Sequence, residues 1–119
     1  MGDMSMKFSS SLKLNHIFRR MYASSGQANG LLVFYARKNR TGINRVGITV
    51  SKKLGKANVR NRIRRRLREA YRLNELCFTP GWDIVIVARS RAVDAPFEKL
   101  TGSLLSLAQK SGLLVEETE

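Results

Sequence analysis

Residues 52–72, KKLGKANVRNRIRRRLREAYR, hold ten basic side chains and a single acid, Glu69. So much like charge on one stretch repels itself and opposes compaction. Any fold of this chain must therefore leave one side of the segment open to solvent or to a polyanion. A helix meets that condition. At 100° per residue, Val59, Ile63, Leu67, Ala70 and Tyr71 gather on one side, while Asn61, Arg64, Arg65, Arg68 and Arg72 gather on the other. Arg60, Arg62 and Arg66 flank the apolar stripe, where their stems lie along it and their heads reach out. Glu69 stands one turn beyond Arg65 and Arg66 and is expected to orient one of them.

The charge is local. Net charge over the 119 residues is +13, and this one segment supplies +9 of it. Such concentration points to a nucleic-acid partner rather than to general solubility. Arginine outnumbers lysine in the helix, and a planar guanidinium makes forked hydrogen bonds to phosphate and stacks on bases, which an ammonium cannot. Lys52, Lys53 and Lys56 precede the helix and add donors near its electropositive N-terminus. If about six of these cations meet phosphates, affinity falls roughly a thousandfold between low and physiological salt. A merely solvated face is the rival reading, but ordinary surfaces intersperse both signs.

Other classes find less support. With 43% hydrophobic residues the chain suits one domain with a modest core. Cys77 is its one cysteine, so no intrachain disulfide forms and a reducing, intracellular compartment is the natural expectation. No apolar run approaches the roughly twenty residues of a membrane span. Residues 1–11 lack the pattern of a secretory signal and read as a disordered lead-in. Residues 114–119 read as a solvated acidic tail. Gly55-Lys56 imitates part of a phosphate-binding loop, yet Ala57 replaces the metal-binding hydroxyl and Val50 the first glycine, so no nucleotide cofactor is expected.

The acids are scattered, which argues against a two-metal nuclease. Asp83, Asp94 and Glu98 form no evident ligand set, and no metal site is assigned to the polypeptide. His16 has no second histidine for an acid–base pair. Cys77 reads as a small apolar residue, and Trp82 as core or rim. No residue is assigned a catalytic role.

Helical spacing of Leu14, Ile17, Phe18, Met21 and Tyr22 predicts a first helix. LLVFYAR (31–37) is aromatic and β-branched enough for a strand. In RVGITVS, Val46, Ile48 and Val50 alternate with Arg45, Gly47, Thr49 and Ser51, predicting a strand with one buried face. WDIVIVAR follows the Pro80-Gly81 break as another strand, and Phe97, Leu100, Leu104 and Ala108 mark a last helix begun near Asp94 and Pro96. The fold class is therefore α/β of mixed (α+β) type.

Taken together, RVGITVSKKLGKANVRNRIRRRLREAYR resembles the protein subunit of bacterial ribonuclease P. The motif is Arg60-Asn61-Arg62 just after the strand and lysines from Val46 to Lys53, and the likeness runs over about 12–113. It implies an α-β-β-β-α-β-α sandwich similar to a ribosomal protein S5 domain, with a left-handed β-α-β crossover, where pattern reasoning alone favours the right-handed one. It implies a partner, the large catalytic RNA, which holds Mg²⁺ and removes 5′ leaders from precursor tRNA in the bacterial cytoplasm. Carried over by position, the catalytic-RNA contacts are Lys52, Lys56, Arg60, Asn61, Arg62, Arg64, Arg65 and Arg68. The leader-binding cleft takes Phe18, Tyr22, Tyr35, Thr49, Ser51 and Lys53. Tyr22 stands where the family commonly has phenylalanine, which keeps a stacking face and adds a hydroxyl.

The residues support the cleft only in part. Aromatics beside hydroxyls and cations suit single-stranded RNA, with stacking worth roughly 1–3 kcal/mol per base. Aromatics at helical spacing are also ordinary core. A structural RNA-binding protein of ribosomal type would share the charge without needing a leader cleft, and a stand-alone nuclease would cut without added RNA.

Overall fold

The computed structural model describes the backbone of residues 9–11 and residues 26–115. Five strands form one mixed sheet: β1 (Ser9–Ser11), β2 (Gln27–Ala28), β3 (Leu32–Lys38), β4 (Asn44–Thr49) and β5 (Trp82–Ala88), in the spatial order β1-β4-β5-β3-β2. Two helices are described, α1 (Ala57–Leu73) and α2 (Phe97–Lys110). The predicted helix around Phe18 and Tyr22 lies outside the described residues.

Strand β5 is central, and the sequence says why. Its Ile84, Val85 and Ile86 form an unbroken apolar run, and all three are fully buried. It pairs antiparallel with β3 and parallel with β4. The parallel pair needs a crossover, and α1 supplies it. In β3, Leu32 and Phe34 are buried while Arg37 and Lys38 at its end are exposed.

Both helices pack on one face of the sheet and touch each other. Ile63, Leu67, Ala70 and Tyr71 of α1 join Leu100, Leu104, Leu107 and Ala108 of α2 over Leu32, Phe34, Val46, Val50, Ile84 and Ile86. Val59 is only partly buried at the rim of that cluster. The buried stripe of α1 is thus the one its spacing predicts. Buried Asn44 ties the layers together: its Nδ2 donates to the Tyr71 hydroxyl at 3.2 Å and its Oδ1 accepts from the Trp82 N–H at 2.8 Å. A buried amide with both ends engaged costs little and fixes register.

Three expectations need correction. Residues 9–11 are not a disordered lead-in, because Ser9–Ser11 pairs in parallel with Asn44, Arg45 and Val46. Cys77 is not a packed apolar residue: it is exposed in the short 3₁₀ turn Glu75–Cys77. Leu114 bridges Phe78, and the Val115 N–H donates to the Cys77 carbonyl at 2.8 Å, so the start of the acidic tail is tied down.

Candidate nucleic-acid interface

The basic surface begins in a 3₁₀ turn, Lys52–Leu54, which Ser51 caps by accepting the Lys53 N–H on its Oγ at 3.2 Å. Gly55 ends the turn at φ +149°, where a Cβ would sit 3.0 Å from Val59. Only glycine suits both demands. Lys56 then opens α1 with no side-chain cap and no acid in the first turn. The positive end of the helix dipole is left without an internal counter-charge.

On the solvent side of α1, Asn58, Asn61, Arg64, Arg65 and Arg68 line an open hollow of about 560 Å³. The predicted contacts Asn61, Arg64, Arg65 and Arg68 therefore share one surface. Asn58 was not anticipated, although its 58-61-65-68 spacing places it on the same face. Arg64 donates to Asn61 Oδ1 at 2.9 Å, and Arg60 Nε donates to the Gly55 carbonyl at 3.1 Å. A guanidinium carries five N–H donors, so these single bonds leave Arg64 and Arg60 with others to offer a ligand. Lys52, Lys53, Lys56, Arg62 and Arg65 are exposed. By contrast, Arg66 is spent on the fold, donating to the Ala95 carbonyl at 2.6 Å.

Glu69 does not orient Arg65 or Arg66. It takes a two-pronged bond from Arg72, Nε to Oε1 at 2.8 Å and Nη2 to Oε2 at 2.7 Å. That bond holds the Glu69 carboxyl below the usual glutamate range. A depressed carboxylate pKa gives stability that is complete above the unfolded value and lost as pH falls through the folded one. Glu69→Gln should therefore cost about 0.3–0.5 kcal/mol at neutral pH. In denaturant titrations the difference from the parent should vanish in acid, once the pH has fallen through the lowered folded value of Glu69.

The predicted cleft residues lie elsewhere. On the sheet face away from the helices, ladder register sets Tyr35 opposite Val85 opposite Gly47, and Val33 opposite Val87 opposite Thr49. Tyr35 and Thr49 thus share a face but stand roughly 12 Å apart at Cα, two strands and one two-residue step away. Both are partly exposed. Gly26 lies against the Tyr35 ring, where an added Cβ would come within 2.7 Å of it. Ser51 and Lys53 belong to the turn beyond the Thr49 end, and Ser51 keeps its O–H as a donor. Phe18 and Tyr22 lie outside the described residues.

Among the described residues no three His, Cys, Asp or Glu side chains group into a metal cage. No described helix is long and apolar enough to cross a membrane.

A family model described as Ribonuclease P matches residues 6–112. The chain belongs to the ribonuclease P protein family. The ribonuclease P protein component of Alkaliphilus oremlandii is 42% identical over 110 residues, covering 92% of this chain and 96% of the relative. That of Clostridioides difficile is 43% identical over 106 residues, 87% of this chain and 93% of the relative. Among solved structures, the RNase P protein of Staphylococcus aureus superposes with a TM-score of 0.77 at 30% identity, covering 92% of this chain and 99% of that one. The RNase P protein of Thermotoga maritima gives 0.77 at 29% identity, with 90% and 98% covered. The ribonuclease P resemblance drawn from the Arg60-Asn61-Arg62 motif and the strand before it is therefore shown over nearly the whole chain, and the mixed α/β fold with it.

Proposed function

We propose that this chain is the protein subunit of a ribonuclease P ribonucleoprotein, docking on a catalytic RNA and steadying the 5′ leader of precursor tRNA. What supports the reading is the open side of α1, where Asn61, Arg64, Arg65 and Arg68 line one hollow, with Arg60 and Arg62 on its flanks, Lys52 and Lys56 in the turn before it, and the single helix acid taken by Arg72. A surface so poor in counter-charge suits dense phosphate.

The sheet face takes the single-stranded leader in this reading. Tyr35 offers a ring for a base, Thr49 and Ser51 offer hydroxyls, and Lys53 a cation; Phe18 and Tyr22 join them on the strength of the family motif. The polypeptide lowers phosphate repulsion and fixes position, leaving bond cleavage to the RNA. Mg²⁺, held mainly by the RNA, supplies charge neutralisation at the reacting phosphate when bound. Maturation of tRNA in this way belongs to the bacterial cytoplasm.

The test mixes purified protein, a bacterial catalytic RNA and precursor tRNA at low Mg²⁺. Cleavage should require both macromolecules, and cleavage by the protein alone would overturn the proposal. Tyr35→Ala should weaken leader-bearing substrate roughly tenfold relative to mature tRNA. Equal losses for both would favour a structural RNA-binding role without a leader cleft.

A further inference from the structure

One more row lies on the sheet face that carries Tyr35 and Thr49. Arg37 on β3, Asp83 on β5 and Arg45 on β4 stand side by side in the ladder. Asp83 sits between two arginines but serves one. Its Oδ1 accepts from Arg45 Nε at 2.7 Å and Asn39 Nδ2 at 2.9 Å, and its Oδ2 accepts from Arg45 Nη2 at 2.8 Å. Arg45 is thereby neutralised. The Arg37 side chain is exposed and makes no ion pair or side-chain hydrogen bond among the described residues. The next cation, Lys38, belongs to the opposite face, with its Nζ 5.8 Å from the centre of the Trp82 ring.

We propose that Arg37 holds a phosphate of the leader at the far end of the track that begins at Ser51, so that it sets how much leader the protein can grip. This inference rests on the leader-binding reading given above. Its direction follows from the sheet: the turn at Lys52–Leu54 and the start of α1 follow the Thr49 end, so the catalytic RNA meets that end first. From the Thr49 row to the Arg45 row the strand advances about 13 Å. Val85 beside Tyr35 is fully buried, so a strand of RNA leaving the catalytic RNA crosses at the partly exposed Thr49, Val87 and Val33 row and passes Tyr35 along β3 before it reaches Arg37. Tyr35 and Arg37 are two residues apart on one face, about 6.6 Å at Cα. A base on the ring and a neighbouring phosphate on the guanidinium fit that spacing, and the forked donors suit a phosphate.

The experiment uses the assembled holoenzyme and precursor tRNAs whose leaders are lengthened one nucleotide at a time. The parent, Arg37→Gln, Tyr35→Ala and Lys38→Gln are compared by the affinity gained as the leader grows. For Arg37→Gln the gain should be about tenfold smaller. Its deficit should begin at longer leaders than the Tyr35→Ala deficit, and the salt dependence of long-leader binding should flatten by about 0.7 in log–log slope. Lys38→Gln removes the same charge from the other face and should not reproduce the deficit. A Lys38→Gln deficit equal to that of Arg37→Gln would mean a diffuse field, and the proposal would fail. It would fail equally if Arg37→Gln showed no length-dependent loss while Tyr35→Ala did, which leaves the leader reading standing. Loss of length dependence in neither variant would sink the leader reading itself.

Discussion

Arg64→Ala combined with Arg65→Ala is expected to weaken assembly with the catalytic RNA roughly a hundredfold, taking each charged hydrogen bond at about 1.5 kcal/mol. Both side chains line the hollow on α1, and Arg64 is already aimed by Asn61. Alanine is the best helix former, so the helix itself should survive the change. The salt dependence should change along with the affinity. Removing two phosphate contacts should reduce the slope of log K against log salt by about 2. Titrating labelled RNA with protein at several salt concentrations measures both quantities. A variant that binds as tightly, with the same slope, would show that this face is not the docking surface.

A second large effect is expected in stability. Asp83→Ala should destabilise the fold by about 3 kcal/mol, because it leaves the half-sheltered Arg45 guanidinium without its partner. The Asp83 carboxylate also holds Arg45 above its ordinary pKa and anchors Asn39, whose amide donates to the Ile43 carbonyl at 3.0 Å in the turn between β3 and β4. Thermal unfolding should show a fall in Tm of roughly 10–15 °C. Replacing the pair together, Arg45→Met with Asp83→Leu, should recover much of the loss, since it removes both charges at once. A single variant within about 0.5 kcal/mol of the parent would mean the pair is only a surface contact.

What could be read from the chain in advance follows from the range of the forces involved. The buried side of α1 was legible because a helix converts sequence spacing directly into a face, and Ile63, Leu67, Ala70 and Tyr71 obey it. The three longer strands were legible to within two residues because β-branched alternation is equally local, whereas the two-residue strand Gln27–Ala28 carried no such signal. The Glu69 contact was not, since Arg65, Arg66 and Arg72 all lie within one turn of it. Which guanidinium wins depends on rotamers and competing partners, and Arg66 is drawn away to the Ala95 carbonyl.

Long-range partners were harder still. Nothing local links Arg45 to Asp83, 38 residues apart, and only the parallel register of β4 with β5 makes them neighbours. Ser9–Ser11 carries no strand signal in its side chains and is placed by backbone pairing to β4. Cys77 is apolar enough for a core, but the short turn that holds it faces outward. For the candidate site, the helix face came from composition and spacing. The separation of Tyr35 from Thr49 required the sheet order.

Sheet order bears on one further matter, the chain's behaviour before it meets RNA. The longer strands β3, β4 and β5 are flanked by edge strands of only two and three residues, Gln27–Ala28 and Ser9–Ser11. Truncated borders of that kind offer little template for another copy to extend. Together with the mutual repulsion of so cationic a surface, they should keep newly made protein dispersed while it waits for its anionic scaffold.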